Sequence, residues 1–523
     1  MRAVAWFIVA AFAAGCVAAG PNPSSGLRSE YARAPQLNAT TGLYDYAYYP
    51  GGVAGSSGTL RFQWAPAALS SVTVQGGTAR VEVNAINDHA REPMLPILLV
   101  KDGKLLLAPQ GGRSAVATLH DGEAMQFVPP PNTQRLQIDT GWGEHAISMD
   151  ALNPDQDGIA GPTHPIVNGA NVYTLEQYQQ DHFPHRTPGQ PNYKLSQQYF
   201  AKYFADLGYQ VQVDPYGLTD QPCPPVGDCP AVFANIVAMK PGTAANPKIL
   251  AVGGHYDVVP GTTFGAFDNT SGTTATMEMA RALAPYKFNH TLMFALWGGE
   301  ESGTLGSEFW ADSHPQAVAD IETYWNLDVV GMSWPAPVLH PSAVLIAAGP
   351  DVASSANDGT TMDPVSQSLL GWAKTLQHDW LGFPDAQKGT PMFRYEGIAA
   401  GQANGYAKVN AQSDHESFAK IGIPSYFIFN GDTLHANNPV GIHSNRDTLD
   451  NLTKVAYFGA DAKDLLSVPW DNETLHQRGI AALEQSWEAT MAFPFYSIIL
   501  QDLGVYKAPG VASTLPVALP LQP

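Results

Sequence analysis

The sequence predicts an α/β fold with a mostly parallel central sheet flanked by helices, preceded by a smaller β-rich accessory domain. From about residue 190, short apolar segments alternate with helical patterns, which is typical of parallel sheets. Residues 46–150 instead carry short β-prone segments separated by Gly-Gly, Asn-Asp and Asp-Gly pairs, which favour turns. A chain of 523 residues is also too long for a single small binding module.

The composition describes a globular and acidic chain. Lys and Arg number 27 and Asp and Glu 47, which gives a formal net charge of −20, while hydrophobic residues make up 45%. A surface this acidic repels phosphate backbones and anionic lipids. The charge therefore argues against nucleic acid or a membrane surface as a partner.

The N-terminus has the pattern of a signal peptide over residues 1–19. One basic residue, Arg2, precedes an apolar stretch over residues 3–14 and then small residues. Cleavage after Ala19 and a lipoprotein-like cleavage that leaves a lipid anchor on Cys16 both fit. No later stretch reaches the roughly 18 consecutive apolar residues of a membrane span. The chain is thus expected to be exported, either free (secreted or periplasmic) or surface-attached through Cys16.

The other two cysteines, Cys223 and Cys229, lie six positions apart in a loop rich in Pro and Gly. In an exported protein this spacing favours a local disulfide, because no second pair or nearby His completes a zinc site. Residues 20–45, rich in Pro, Ser, Gly and Asn, are expected to be a linker.

Residues 150–190 have a loop-like composition and contain the start of a calcium loop. Asn153, Asp155 and Asp157 offer oxygen ligands at alternate positions, followed by Gly158. The twelfth position is His164 instead of the Glu that closes such loops. Bound Ca²⁺ is therefore a secondary prediction, and a solvated turn is favoured.

Alternating helix and strand patterns in the sequence predict the elements of the α/β region. The predicted helices are 193–207, 273–283, 305–311, 366–380 and 451–466, and the predicted strands are 249–253, 290–297, 324–330 and 425–429. Residues 476–523 are expected to form a C-terminal helix and a Pro-rich tail. The long aromatic segment between Asp328 and Ser413 is expected to form a lid.

Polar residues that follow the predicted strands form the candidate site, since ligands bind at the carboxyl ends of strands in such folds. They include His255 and Asp257, Asp268 in a Gly-rich loop, the pair Glu300-Glu301, Asp328, Asp414-His415 and His443. Carboxylates packed together without a cation would repel one another. Imidazole and carboxylate ligands without Cys suit zinc, with cobalt or manganese as substitutes.

The chain resembles the M28 family of co-catalytic zinc metallopeptidases over about residues 190–470. Six stretches occur in the family's order, namely GGHYDVVPG, FDNTSGTTATMEMAR, LWGGEESGTLGS, NLDVVG, SDHESFAKIGIP and HSNRDTLDN. The resemblance implies a phosphorylase/hydrolase-like, zinc-exopeptidase fold over residues 165–475. It also implies a cis peptide after Asp268.

The resemblance assigns a role to each matching residue. His255 and Asp328 would bind one Zn²⁺ and Glu301 and His443 the other, with Asp268 bridging the two. Glu300 would be the general base, and Asp257 would hold the imidazole of His255. Asp414 and His415 match a motif beside the site but receive no defined role.

The implied activity is that of an exopeptidase acting on peptides, and most family members are aminopeptidases. A carboxypeptidase or dipeptidase of the same family remains open. From a different class, the chain could be a surface binding protein whose β-rich region works while the peptidase-like domain is an inactive scaffold.

Overall fold

Three sheets and nine helices make up the part of the chain that the computed structural model describes. That part comprises residues 36–38, 43–48, 58–63, 69–86, 97–107, 114–128, 135–139, 147–150, 167–217, 233–331, 343–348, 364–381, 393–397, 413–429 and 440–508. The predicted signal peptide with Cys16, the calcium loop at Asn153, Asp155 and Asp157, and the pair Cys223 and Cys229 lie outside these residues. Among the described helices, none is long and apolar enough to cross a membrane.

The N-terminal region contains eleven described strands. They are β1 (Gln36–Asn38), β2 (Leu43–Tyr48), β3 (Gly58–Gln63), β4 (Ser70–Gln75), β5 (Ala79–Ile86), β6 (Leu98–Lys101), β7 (Lys104–Leu107), β8 (Ser114–Leu119), β9 (Ala124–Val128), β10 (Arg135–Asp139) and β11 (Ile147–Asp150). One antiparallel sheet has the order β1-β2-β3-β4-β9-β6-β7 and the other β11-β10-β5-β8.

Residues from both sheets share one hydrophobic core, as in a β-sandwich. Val72 and Val74 of β4 alternate inward with exposed or half-buried neighbours, and Val81 and Val83 of β5 meet them from the second sheet. The predicted β-rich domain is therefore present. Strand β1 lies within the predicted linker 20–45, and β2 crosses its C-terminal end. The linker prediction is therefore wrong at its C-terminal end.

The second region is a mixed eight-stranded sheet with helices on both faces. Its strands are β12 (Gln210–Tyr216), β13 (Phe233–Lys240), β14 (Ile249–His255), β15 (Thr291–Trp297), β16 (Ile321–Leu327), β17 (Ala343–Ala348), β18 (Phe393–Gly397) and β19 (Ser425–Phe429). The order is β12-β13-β15-β14-β16-β19-β17-β18. The four central strands β15, β14, β16 and β19 are parallel to one another.

The helices of this region are α1 (Gly169–His182), α2 (Pro191–Asp206), α3 (Ser271–Leu283), α4 (Leu305–Ser313), α5 (Pro315–Val318), α6 (Pro364–Thr375), α7 (His415–Ala419), α8 (Leu449–Phe458) and α9 (Glu473–Asp502). Alternate residues of a central strand face two different hydrophobic cores. Leu292 and Phe294 of β15 face a core shared with α3 and α9, while Met293 and Ala295 face a core shared with α4 and α7. The predicted α/β fold is confirmed.

Three predictions for this region differ from the structure in part. Residues 150–190 were expected to be loop, yet 169–182 form α1, whose N-cap Asn168 accepts hydrogen bonds from the amides of Ala170 and Asn171. The segment between Asp328 and Ser413 was expected to form a lid, yet its strands β17 and β18 pair into the central sheet, and most of its other residues lie outside the described ones. The helix predicted to run to residue 466 ends as an α-helix at Phe458 and continues as a 3-10 turn over Gly459–Asp464.

The register of the parallel strands brings their carboxyl ends together. His255, the last residue of β14, pairs with Trp297, the last residue of β15. Gly253 pairs with Asn326 on the other side, next to the end of β16. Residues that immediately follow these strands must therefore converge at one edge of the sheet.

Candidate metal centre

Three strand ends and two loops supply the side chains of the candidate site. His255 ends β14, Glu300 and Glu301 follow the turn after β15, and Asp328 follows β16. Asp268 lies in the irregular helical turn Ala266–Thr270, and His443 lies in the loop before α8. His443 is half exposed, and the other side chains are buried or nearly so.

Asp268 lies between the two histidines and offers one carboxylate oxygen to each. Its Oδ1 is 3.3 Å from His255 Nε2, and its Oδ2 is 3.0 Å from His443 Nε2. His255 Nε2 is also 3.3 Å from Asp328 Oδ1, and His443 Nε2 is 3.3 Å from Glu301 Oε2. Two groups of three ligand atoms that could each hold one metal ion therefore share Asp268.

The peptide bond between Asp268 and Asn269 is cis, which confirms the expectation from the resemblance. Asn269 in turn fastens this loop to the end of β16. Its Nδ2 donates to the carbonyl of Leu327 at 2.9 Å, and its Oδ1 accepts from the amide of Val329 at 3.2 Å. The loop that carries Asp268 is thus joined to the residues on both sides of Asp328.

The turn after β15 directs the two glutamates to different places. Gly299 begins this turn with φ of 88°, a left-handed conformation that favours glycine, and a Cβ there would lie 2.6 Å from the ring of Phe233. Glu301 then reaches His443, whereas Glu300 Oε2 lies 3.8 Å from His255 Nε2. Glu300 thus lies beside the group that contains His255 and belongs to neither group of ligand atoms.

Asp257 holds the glutamate turn as well as the imidazole. Its Oδ1 lies 3.4 Å from His255 Nδ1, in the predicted position. Its two oxygens also accept from the backbone amides of Glu300 at 3.2 Å and Glu301 at 3.3 Å. This second role was not predicted, because it depends on backbone contacts between two loops.

Asp328 is oriented by a chain of side-chain hydrogen bonds. Ser413 Oγ donates to Asp328 Oδ2 at 2.7 Å, and Asn326 Nδ2 donates to Ser413 Oγ at 2.7 Å. Ser413 was noted only as part of a motif. Its neighbours Asp414 and His415 are buried, and their side-chain polar atoms have no hydrogen-bond partner, as judged across the described residues.

His415 belongs to neither group of ligand atoms, and its ring stacks on that of Phe427 with the centroids 4.6 Å apart. Burial lowers the pKa of His415 to about 3, so the ring is neutral at neutral pH. For Asp414, burial and, more weakly, the charge of Asp328 raise the pKa to about 7. Asp414 is thus a further buried carboxylate whose charged form is disfavoured, and His415 packs against Phe427.

The shifted pKa values of the clustered carboxylates and histidines indicate a site that favours bound positive charge. Burial, helped by Asp268, raises the pKa of Glu301 to about 7, and burial with Asp328 raises the pKa of Glu300 well above its usual range against the pull of His255. Hydrogen bonds to Asp268 and Glu301 raise the pKa of His443 to about 11. Such carboxylates can stay ionised only beside protons on the histidines or a bound cation.

The opposing effects on His255 and Asp268 lead to the same conclusion. Burial alone would lower the pKa of His255, but the carboxylates of Asp328 and Glu300 raise it well above its ordinary value. Burial disfavours ionised Asp268, yet its hydrogen bonds to the two histidines lower its pKa. The structure thus brings together the five residues expected to bind metal, the expected base Glu300 and Asp257, which was expected to hold His255.

Comparison with known proteins supports the resemblance over the part of the chain that carries most of this site. Residues 235–378 match the family model for peptidase family M28. Over 102 residues the chain is 40% identical to aminopeptidase YwaD of Bacillus subtilis, which covers 19% of this chain and 22% of that protein. Over 239 residues it is 26% identical to leucine aminopeptidase 2 of Arthroderma otae, which covers 43% of this chain and 42% of that protein.

The chain thus spans about a fifth to two fifths of the length of these curated relatives. Among solved structures, a zinc aminopeptidase from Bacillus subtilis is 18% identical to this chain with a TM-score of 0.40. That match covers 62% of this chain and 95% of the other. The resemblance to M28 peptidases stated from the six motifs is confirmed.

Proposed function

We propose that this chain, whose residues 235–378 match peptidase family M28, is a zinc-dependent aminopeptidase with two zinc ions at the carboxyl edge of its sheet. The observation that carries the proposal is Asp268, whose two oxygens face His255 and His443 on opposite sides. Each histidine has a further carboxylate beside it, and Glu300 lies next to the group that contains His255. The relatives named aminopeptidases support the substrate class.

The ligand atoms suit zinc. Two ligand atoms about 2.0–2.1 Å from a tetrahedral ion are roughly 3.3–3.4 Å apart. The imidazole–carboxylate distances in the two groups are 3.0–3.3 Å. Glu301 Oε1 is buried without a hydrogen-bond partner in the described structure, so this carboxylate has coordination capacity left.

Five residues would hold the ions. His255 and Asp328 would hold one, Glu301 and His443 the other, and Asp268 both. When bound, such a pair polarises a peptide carbonyl and lowers the pKa of water from 15.7 toward neutrality. Cobalt or manganese could replace zinc, since both accept the same nitrogen and oxygen ligands.

Glu300 would move the proton. It lies against the cluster but belongs to neither group of ligand atoms, so its carboxylate is free to take a proton from the attacking water. It then gives that proton to the leaving amine. Asp257 fixes the backbone that carries Glu300, and Asn269 and Ser413 orient Asp268 and Asp328.

A panel of substrates tests the proposal. Amino-acid p-nitroanilides, N-blocked peptides and free dipeptides are incubated with the protein, with a chelator, and after zinc is restored. We expect cleavage of substrates with a free amine only, lost with chelator and regained with zinc. Cleavage of N-blocked peptides from the C-terminus would make the enzyme a carboxypeptidase, and cleavage of dipeptides alone would make it a dipeptidase. No cleavage with no bound zinc would make the domain an inactive scaffold.

Export is a part of the proposal that rests on residues 1–19 alone. The intact mass of protein purified from its natural host distinguishes the alternatives. A chain that begins after Ala19 means free export, and a lipidated Cys16 means surface attachment. A mature chain that retains Met1–Arg2 and the apolar stretch would contradict export by this route.

A further inference from the structure

Asp447 contacts the loop that carries Asp268 through three consecutive amides. Asp447 Oδ1 accepts from the amide of Phe267 at 2.7 Å, and Oδ2 accepts from the amide of Asp268 at 3.0 Å. The backbone carbonyl of Asp447 accepts from the amide of Ala266 at 3.4 Å. The side chain is completely buried, so solvent cannot replace these hydrogen bonds.

The same segment carries His443, four residues earlier. The amide of Asp447 donates to the carbonyl of Ser444 at 3.1 Å, and the next residue, Thr448, is the N-cap of α8. Asn451 Nδ2 further fixes the turn through the carbonyl of Arg446 at 2.6 Å. Asp447 therefore joins the hydrogen-bonded turn that carries His443 to the loop that carries Asp268.

Arg186 holds the opposite side of the Asp268 loop. Its Nε donates to the carbonyl of Tyr256 at 2.9 Å, and one terminal nitrogen donates to Thr270 Oγ1 at 2.5 Å. This buried side chain thus connects the residue after His255 with the end of the turn Ala266–Thr270. Arg186 thus binds the turn at Thr270, and Asp447 binds it at Phe267 and Asp268. Of the two, Asp447 contacts the residue whose carboxylate faces both histidines.

We infer that Asp447 is a positioning residue for the metal centre, setting the separation of His443 and Asp268 through the backbone of residues 266–268. The inference rests on the proposed zinc site and goes beyond it, because Asp447 is not among the ligand atoms. A carboxylate can accept from two amides at once. An amide side chain at this position would turn an NH₂ group toward one of those N–H groups.

Zinc binding by Asp447→Asn tests the inference. Partners that orient ligands from outside the coordination sphere commonly contribute 10- to 100-fold to metal affinity. We expect Asp447→Asn to bind zinc 10- to 100-fold more weakly in competition with a chromophoric chelator, at a temperature where circular dichroism shows a folded chain. Excess zinc should restore most of kcat.

Asp450→Asn is the matched control. This carboxylate lies three residues further on, is half exposed and binds Lys454 and Trp470 instead of the metal loops. Its zinc affinity should equal that of the wild type. If Asp447→Asn binds zinc as tightly as the wild type, Asp447 only stabilises the fold and the inference is wrong. If the wild type binds no zinc, the proposed function itself fails.

Hydrogen exchange in the zinc-free wild type gives a test that needs no variant. The amides of Phe267 and Asp268 should be protected, since Asp447 accepts both. Exchange of both amides at the rate of an unfolded chain, while strand β14 stays protected, would overturn the inference even if Asp447→Asn fails to fold.

Discussion

Glu300 and Glu301 occupy different positions in the candidate site, as the proposed division between proton transfer and metal binding requires. Adjacent glutamates after β15 diverge, so that Glu301 faces His443 while Glu300 lies on the side of His255. The sequence could suggest which of the two glutamates binds metal only through the resemblance, since a Glu-Glu pair alone is more typical of an exposed turn. The turn at Gly299 and the two amides accepted by Asp257 provide the physical reason.

Glu300→Gln should lose activity without losing metal. The amide keeps the shape of the carboxylate but cannot take a proton, so kcat is expected to fall by about 10²- to 10⁴-fold. Zinc content per chain should stay that of the wild type. Glu308→Gln, an exposed position on α4, is the control and should retain full activity. Near-normal turnover of Glu300→Gln would show that another group moves the proton.

His290 forms a buried charged group at the opposite end of β15. Its Nδ1 lies 2.9 Å from Asp502 Oδ1 at the end of α9, and its Nε2 lies 3.2 Å from Glu322 Oε2 in β16. Burial lowers the pKa of His290, but hydrogen bonds to Asp502 and Glu322 outweigh it and raise the pKa to about 9. The charged imidazole thus ties a helix end to two strands.

The stability that His290 contributes should depend on pH. Its folded pKa exceeds the ordinary 6.5, so the contribution is fully present below about pH 6.5 and is lost as pH rises through about 9. His290→Gln should therefore lower the free energy of unfolding most near pH 6, by roughly 2–4 kcal/mol. The Tm of this variant should lie furthest below that of the wild type at the same pH. A Tm difference that does not shrink between pH 6.5 and 9.5 would refute the charged triad.

The site residues that follow strands could be predicted from the sequence. The residues whose side chains bind the backbone of another loop could not. His255, Glu301 and Asp328 each follow an apolar run, and that pattern marks the edge of the sheet. Asp447 and Arg186 contact backbone atoms of loops distant in sequence, and no periodicity records such contacts. Asp447 does lie within the motif HSNRDTLDN, which was the available signal.

At the scale of elements, helix α1 escaped prediction because its buried face is largely polar. Asn171, Glu176 and Gln179 are buried toward the protein, whereas a helix is normally recognised by apolar residues at this spacing. Strand β12 was missed for a related reason. It is an edge strand whose side chains are mostly exposed or half buried, so it lacks the continuous apolar run that identified β14 and β15.

Helix α3 packs on the end of β16 at a glycine. A Cβ on Gly272 would lie 2.0 Å from the carbonyl oxygen of Leu327 and 2.5 Å from Asn269 Oδ1. Both contacts belong to the connection between the Asp268 loop and Asp328. The close approach of helix and strand therefore determines how the two ligand-bearing segments meet.

Gly272→Ala should destabilise the protein by about 1–3 kcal/mol or more, because backbone atoms must move to admit the methyl group. Gly371→Ala is the control, since this exposed glycine lies within α6 with nothing within 4 Å of an added Cβ. It should stabilise the protein by about 0.5–1 kcal/mol. Urea unfolding of the two variants measures both effects, and equal stability of Gly272→Ala and the wild type would contradict this packing.

At the scale of the whole molecule, the β-sandwich packs at the end of the sheet opposite the candidate metal centre. Leu98, Leu105 and Val128 belong to the same hydrophobic cluster as residues of α3 and α9. Lys104 Nζ donates to Asn289 Oδ1 at 2.7 Å, just before β15 begins. The seven residues of β15 separate this contact from Glu300 by roughly 23 Å. The sandwich thus packs against the α/β region at the end remote from the candidate site.

Leu105→Asp should weaken the whole molecule without disabling the site. A carboxylate in that buried contact is expected to cost at least about 3 kcal/mol, while kcat of the folded protein at low temperature stays near that of the wild type. Val116→Asp, in a strand of the same sandwich and 39% exposed, should change stability by less than about 1 kcal/mol. Equal Tm values for the two variants would mean that the sandwich does not support the catalytic region.

The most direct test of the account is the number of zinc ions that each chain binds. Chelator-treated wild-type protein is dialysed against zinc at low micromolar concentration, and bound metal is counted against protein. The shared carboxylate of Asp268 between His255 and His443 predicts two ions per chain. A chain that binds one ion or none would contradict the two-metal site on which the proposed mechanism depends.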